Sequence, residues 1–465
     1  MIKLPPYTSP DLSLLTRIAS QGAEALERYK AYLTPLDEKG RYLPYDALFY
    51  RIPAHLEPEL AWGLVKLSRV SHQKPILEGV GPLANSHYML TPGMQRIMPR
   101  VDRYTTTAQL ELMTSRLGET RHLHYLLQDL TQDEAISSSQ LEGAATTTLA
   151  AKNMLSRKRK PRTPDERMIL GNYRMMKFAW EHRHSDLSPD LVLTLHRTGV
   201  EGIDDTRYQP GQFRQSDDVV VEDRDGTVVH QPPDAAGLPE RMRQLCEWAN
   251  RCHDEADLPE YVHPLVKAMA LHFAIGFEHP FHDGNGRVAR ALFYWFMFRN
   301  DYGAFRYISI SVLLKKAAAQ YGKSYLYSET DDLDLTYFLE HQASIVSRAL
   351  DIFLDTYERG VREAQQFNSW LAECGLLETL TDRQVRALNI AQQSVTAALS
   401  IDETAQHLQC SYNTAATTLN ELADLGMLTK KKEGRTWFYS IRDRQSIISN
   451  WLNRDGGKDT NSSSP

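Results

Sequence analysis

The chain has 465 residues, 24% of them charged, with a formal net charge of −6: room for two or three domains with full cores, and an acidic balance that excludes nucleic-acid binding over the whole surface. Cys246, Cys252, Cys374 and Cys410 form no C-x-x-C pair, which suits a reducing cytoplasm and argues against structural zinc. Residues 1–10 lack the apolar core of a signal peptide and the longest apolar aromatic run, Ala291 to Phe298, is too short for a bilayer, so a cytoplasmic protein with no membrane contact is expected.

Residues 1–110 read as a mixed opening segment. Leu14 to Tyr32 has a helical pattern with Leu15, Ile18, Ala25 and Tyr29 on one face, although Gly22 falls on that same face. Tyr42, Tyr45, Phe49 and Tyr50 follow among prolines and glycines; they either face a partner or pack this segment onto the next domain. Helical patterns run from Arg116 to Thr131 and from Glu134 to Leu155. Within the second, Ser138 and Glu142 are four apart and face the same way, with Gly143 next. Alone, such a pattern is an ordinary solvated face. The basic run Arg157 to Arg162 reads as a solvated link, followed by helices over Asp165–Glu181 and, capped by Ser188-Pro189, Asp190–Gly199. His196 on the latter is expected to be packed.

Gly211-Gln212-Phe213-Arg214 leads into two β-branched runs, Val219–Val221 and Thr227–Val229, joined through Asp225-Gly226, which predict a hairpin. Helices are predicted over Asp234–Cys252 and from His263-Pro264 through Phe277, then over Ser309–Tyr327 and Leu333–Tyr357. Between them stands His279-Pro280-Phe281-His282-Asp283-Gly284-Asn285-Gly286-Arg287-Val288-Ala289-Arg290. Gly284, Asn285 and Gly286 make a turn whose backbone N–H groups can converge on one anion at a helix N-terminus, where the helix dipole favours phosphate. Arg287 and Arg290 share a helix face and can both reach a polyphosphate. Asp283 is an oxygen ligand suited to Mg²⁺, and His279 can accept a proton near neutral pH. His272, His279 and His282 lack the spacing of a zinc site.

This stretch matches the pattern H-P-F-x-[DE]-G-N-G-R-x-x-R at every specified position, and residues 110–360 resemble the Fic family. The resemblance implies an enzyme that moves the AMP part of ATP onto a Ser, Thr or Tyr hydroxyl of a target protein. It makes His279 the general base, Asp283 the Mg²⁺ ligand and Phe281 a core anchor. Gly284, Asn285, Gly286 and Arg287 would hold the α- and β-phosphates, and Arg290 the γ-phosphate. Ala289 stands where many relatives carry glycine. Ser138, Glu142 and Gly143 resemble the inhibitory helix of some family members, in which the glutamate pairs with the second motif arginine, here Arg290. The hairpin, 219–229, resembles the flap that takes an extended target segment by strand addition. Tyr321 and Tyr325 fall where relatives place aromatics near the nucleotide base, or they are core. Rival readings are another Fic chemistry (transfer of a different nucleotide, phosphorylation, or removal of AMP) and a DNA-binding regulator that senses nucleotide. Gly286 stands where phosphorylating relatives carry a lysine in this turn, and an intact His279 favours an enzyme.

In 376–451, Thr381-x-x-Gln384 and Ser400-x-x-Glu403 are capping boxes that open two helices. A third helix runs from Ser411 to Leu425, with Ala415, Leu419 and Leu422 inward and Gly426 as its stop. Strands over Leu428–Lys432 and Thr436–Ile441 complete the order of a winged helix-turn-helix. Asn413, Thr414, Thr417 and Thr418 would line its recognition face, and Lys430, Lys431, Lys432 and Arg435 its wing, with duplex DNA as partner. Such domains serve equally as protein contacts, so a homodimer is the alternative. Gly456 to Pro465 is expected to be disordered. The expected fold is thus mainly α: a Fic-type helical domain over 111–360 with a β-hairpin flap and an inhibitory helix near 134–155, plus the C-terminal winged helix.

Overall fold

The computed structural model describes residues 2–7, 12–22, 24–116, 120–205, 207–222, 225–253, 261–393, 398–434 and 436–455. Within them helices dominate, and the strands form small antiparallel sheets. By its contacts the chain divides into two compact units: Met1–Thr107 with Gln132–Leu350, and Ala108–Thr131 with Asp351–Pro465. Among the described residues no helix is long and apolar enough to cross a membrane.

The first unit is built on two helices that are buried almost all round, Pro264–Glu278 and Asn285–Arg299. A helix apolar on every side has to be central: these two pack on each other, the first also on Leu238–Asn250 and the second on Pro164–Glu181 and Pro189–Val200. Proline opens the first of the central pair at a position where its missing N–H costs nothing, and the His263 ring accepts from Leu265 N–H at 3.1 Å. That helix stops at His279 (φ +45°), and the next starts after Gly284 (φ +89°).

Residues 1–107 are anchored by a buried polar network. Arg69 is 2% exposed; it donates to Tyr337 Oη at 2.8 Å and to the Leu43 carbonyl at 2.9 Å, and lies 3.6 Å over the Tyr42 ring. Tyr42 and Tyr337 donate onward to Asp334 and Asp331, and Lys66 pairs with Asp331 at 2.7 Å. Breaking such a buried set leaves uncompensated charge, so it fixes this segment firmly. Tyr42 and Tyr45 are therefore packing residues, whereas Tyr50 is exposed.

Several boundaries differ from the sequence expectation. Leu14–Tyr32 is split into Ser13–Ala19 and Ala25–Tyr29, with Gly22 at φ +121° between them. The 134–155 pattern is also two helices: Thr120–Leu141 ends just before Glu142, Gly143 turns at φ +99°, and Thr148–Ser156 begins anew under a Thr147 cap. Ser309–Tyr327 breaks at Ala317 into Ser311–Lys316 and Ala318–Thr330. The helix expected over Leu333–Tyr357 starts at Thr336 and continues to Glu373, 38 residues in all. The hairpin is shorter than predicted, pairing Val221–Glu222 with Val228–His230.

In the second unit, helices Asp382–Gln393, Ile401–His407 and Tyr412–Asp424 pack with a sheet whose strand order is Leu399–Ser400, Thr436–Ile441, Leu428–Glu433. Leu388, Leu399, Ala415, Leu419, Leu422 and Tyr439 are buried in its core. Both capping boxes form: Thr381 exchanges hydrogen bonds with Gln384, as Ser400 does with Glu403. Gly426, at φ +75°, ends the third helix. The short strand Leu399–Ser400 and the helix Arg444–Asp455 were not anticipated. Arg435 and the tail from Gly456 lie outside the described residues.

Candidate functional site

The chain leaves its first central helix through His279 in a left-handed conformation, which a non-glycine residue adopts only when its surroundings enforce it. Here Arg214, 2% exposed, supplies the enforcement. Its Nε donates to the His279 carbonyl at 3.0 Å, its Nη2 to the Glu278 carbonyl at 3.4 Å, and its backbone N–H to the Pro280 carbonyl at 2.9 Å. His279 Nδ1 lies 3.2 Å from the Gly276 carbonyl, so Nδ1 carries the hydrogen and Nε2 keeps its lone pair. Burial pushes the His279 pKa down to about 4, which leaves the ring neutral at pH 7.

Phe281 is fully buried and stacks on the His196 ring with centroids 3.8 Å apart. His196 Nδ1 accepts from Gly211 N–H at 3.1 Å, so its Nε2–H donates to the Asp283 carbonyl at 2.9 Å. The packed histidine is thus a brace for the loop. Asn285 closes the same loop from within: its Oδ1 accepts from Phe281 N–H at 2.8 Å and its Nδ2 donates to the Phe281 carbonyl at 2.7 Å. Its side chain is spent on the shape of the loop.

Both motif arginines are buried. Arg287 donates weakly to the Gly199 carbonyl at 3.3 Å and stands 3.9 Å from Asp283 Oδ1, while its Nε and Nη2 have no hydrogen-bond partner. Arg290 donates from Nε to Ser138 Oγ at 2.9 Å, and from Nη2 to the Ser138 carbonyl at 3.1 Å and to Glu142 Oε1 at 2.8 Å; its Nη1 has no partner. Unpaired buried guanidinium donors at a helix N-terminus make a strong anion site. Burial works against ionising Glu142, but Arg290, with Arg287 and His279 behind it, holds its carboxyl below the usual range. Gly286 makes room for this pair: a Cβ there would lie 2.2 Å from Glu142 Oε1. Gly143 allows the turn directly after Glu142.

Asp283 accepts from Gly284 N–H at 2.5 Å, and burial raises its pKa against the pull of Arg287. Among the described residues no group of three His, Cys, Asp or Glu could hold a metal. Asp283 is a single carboxylate, and that donor set fits a Mg²⁺ that takes its other ligands from phosphate oxygens and water. Tyr321 Oη is 2.8 Å from His272 Nε2, and Tyr325 stacks on Phe273 and donates to the His272 carbonyl at 3.3 Å. Both pack against the first central helix, and Tyr321 also interacts with Arg290 and Glu142 at the site.

In the second unit Asn413 and Thr417 are exposed and Thr414 is half-buried. Thr418 differs from expectation in being 4% exposed: it lies at the floor of a groove that these residues line, and its hydroxyl bonds back to the Thr414 carbonyl at 2.9 Å. Arg383 and Arg386 share a groove with these residues, as do Asp382 and Glu421, so its charge is mixed. Lys430 is exposed but donates to Asn420 Oδ1 at 2.7 Å and sits over Trp437, and Lys431 stands 3.5 Å from Glu433.

Sequence reading singled out neither His196 as a brace nor Arg214 at all. Their partners are backbone carbonyls distant in the chain, which leave no trace in residue spacing; Gly211 before Arg214 was the one available sign of a tight turn.

Residues 186–297 match the Fic/DOC family model. The chain is 26% identical over 210 residues to the protein adenylyltransferase Fic of Drosophila yakuba, a stretch covering 45% of this chain and 37% of that protein. It is 29% identical over 119 residues to the protein adenylyltransferase fic-1 of Caenorhabditis elegans, covering 26% and 21%. The matched stretches thus span well under half the length of these relatives. A Fic family protein from Desulfovibrio desulfuricans G20 superposes with a TM-score of 0.46 at 19% identity, over 77% of this chain and 98% of that one. Fic-1 of Caenorhabditis elegans gives 0.45 at 19% identity, over 75% and 87%. The chain carries a Fic domain; His279–Arg290 and the hairpin lie within the matched residues, and Ser138–Gly143 lies outside them.

Proposed function

We propose that this Fic domain transfers the AMP part of ATP to a hydroxyl of a target protein, releases pyrophosphate, and is held in check by Glu142. The observation that carries the reading is the set of unpaired donors on Arg287 and Arg290 around the Gly284–Gly286 helix start, beside a neutral His279. The backbone N–H groups of Asn285 and Gly286, with Arg287, receive the α- and β-phosphates, and Arg290 the γ-phosphate, while the Gly284 N–H holds the Asp283 carboxylate. The target oxygen attacks the α-phosphorus, the bond from that phosphorus to the bridging oxygen breaks, and His279 Nε2 takes the hydroxyl proton. Asp283 would hold the Mg²⁺, which supplies charge neutralisation on the phosphates. Catalysis is then mostly positioning and charge stabilisation. The hairpin receives an extended stretch of the target by strand addition, which sets register with little demand on sequence. Glu142 occupies the Arg290 donor that the γ-phosphate would use.

Incubation with ATP labelled at the α or the γ position tests this. Protein label from the α position is the expected result for the Glu142→Gly variant; label from the γ position alone means phosphorylation, and no label from either sinks the reading. For the second unit we propose duplex DNA as partner, on the exposed Asn413 and Thr417 beside Arg383 and Arg386; a second copy of the chain is the other outcome of a binding test.

A further inference from the structure

The strand Val228–His230 ends in a ring held between two acceptors. His230 Nδ1 is 2.7 Å from Glu329 Oε2, on the helix Ala318–Thr330, and Nε2 is 2.8 Å from the Phe277 carbonyl, two residues before His279. A carbonyl cannot donate, and a neutral imidazole carries one N–H, so a neutral ring would turn a lone pair toward one of these oxygens. The contact therefore needs one proton more than a neutral histidine beside a carboxylate. The side chain is only 9% exposed, so water cannot substitute freely. Burial opposes charging the ring, but Glu329, the Phe277 carbonyl and Glu278 raise its pKa above the ordinary 6.5. The groups facing it are Glu329 from its helix and Glu278 and His279 from the end of the first central helix, and Glu278 is in turn paired at 2.8 Å with Arg241 of Leu238–Asn250.

The hairpin it closes has two short strands and an irregular register between Val221 and Glu222. Two-stranded hairpins are marginal in water, so a single charge-assisted link at the stem weighs heavily. We propose that His230 is a positioning residue: as an imidazolium it ties the hairpin to the Phe277 carbonyl, and so fixes the target-docking strand against the turn that carries His279, a fit that is lost when the ring gives up its second proton. This rests on the AMP-transfer reading for its effect on rate, and on geometry alone for the link itself.

The test uses the full chain carrying Glu142→Gly, alone and with His230→Gln or Glu329→Gln added. Ring ¹³C–¹⁵N spectra should show both His230 nitrogens protonated at pH 7. His230→Gln should speed amide exchange at Val228–His230 about tenfold and lower kcat at pH 7 by about the same factor, as the loss of one charge-assisted bond would, with KM for ATP changed less than about twofold. Transfer should decline as pH rises through the His230 titration, and Glu329→Gln, which keeps an acceptor while removing the charge, should bring that decline to lower pH. A neutral ring at pH 7 overturns the proposal, as does a His230→Gln variant whose exchange rates and alkaline limb are unchanged. If no variant transfers label, the AMP-transfer reading fails, and ring state and exchange still decide the link.

Discussion

Glu142→Gly takes away one side of the 2.8 Å contact with Arg290, in a site where the guanidinium is fully buried. A hydrogen bond to a charged group is worth about 1.5–3 kcal/mol net, and the upper part of that range applies where water is excluded. About 2.7 kcal/mol corresponds to a shift of about a hundredfold in the population with Arg290 open to the γ-phosphate. The variant should therefore label itself from α-labelled ATP about a hundred times faster than the parent chain. Acid alone should not open the wild-type lock in the neutral range: the carboxyl is held below 4.5, so the stabilisation it gives is complete above that pH and is lost only as pH falls through its lower folded value. Adding Arg290→Ala should cancel the gain, since both changes act through one contact and cannot add. Equal self-labelling by the variant and the parent at saturating Mg²⁺ and ATP would refute the inhibitory role, and a gain that survives Arg290→Ala would refute its route.

Four further outcomes follow from the geometry. His279→Ala should lower single-turnover transfer by about 10²–10⁴ while ATP affinity stays near wild type; retained transfer would remove His279 from the role of base. Because the His279 ring is neutral down to about 4, kcat/KM of the Glu142→Gly variant should show no acid limb near 6.5 and should bend only toward about 4; a limb between those values and neutrality would contradict the buried, uncharged ring. Asn285→Ala strands the buried Phe281 N–H and carbonyl, which should cost roughly 2–4 kcal/mol in denaturant unfolding and weaken ATP binding; an unchanged midpoint would show that the loop closes without it. Neutralising Lys430, Lys431 and Lys432 should flatten the salt dependence of any DNA binding by roughly 0.9 for each phosphate left without its cation, with Lys432 dominant because Lys430 is tied to Asn420 and Lys431 to Glu433; no retardation of genomic fragments at low salt would favour a protein partner.

What the sequence reveals here is chemistry concentrated in one stretch. His279 to Arg290 holds an imidazole, a carboxylate, a glycine turn and two guanidinium groups within twelve residues. Ser138 and Glu142 were legible only through the resemblance to an inhibitory helix, since their four-residue spacing alone marks an ordinary helix face; both do meet Arg290. Side chains that act on backbone were not legible. Arg214, His196 and His230 all hold carbonyls of 277–283, and a carbonyl looks the same in every residue. Helix ends were misjudged where one glycine decides them, as at Gly143, or where nothing in the local pattern says stop, as in Thr336–Glu373. Thr418 shows the limit of face assignment: one step around the helix from the exposed Thr417, it is already buried.

Arg290 is held by Ser138 on two of its nitrogens, whichever anion the rest of the guanidinium meets. The cost of ordering that long side chain is met when the chain folds and not when nucleotide arrives. Exchange of Glu142 for a γ-phosphate then needs a rotation of one glutamate side chain beyond the last residue of its helix, with no turn of helix unwound. Such a rotation breaks one ion pair and avoids the local unfolding that takes microseconds or longer. On the inhibition proposed above, the time a closed Glu142 adds to a catalytic cycle would be set by how rarely the carboxylate leaves Arg290, not by how slowly the site re-forms.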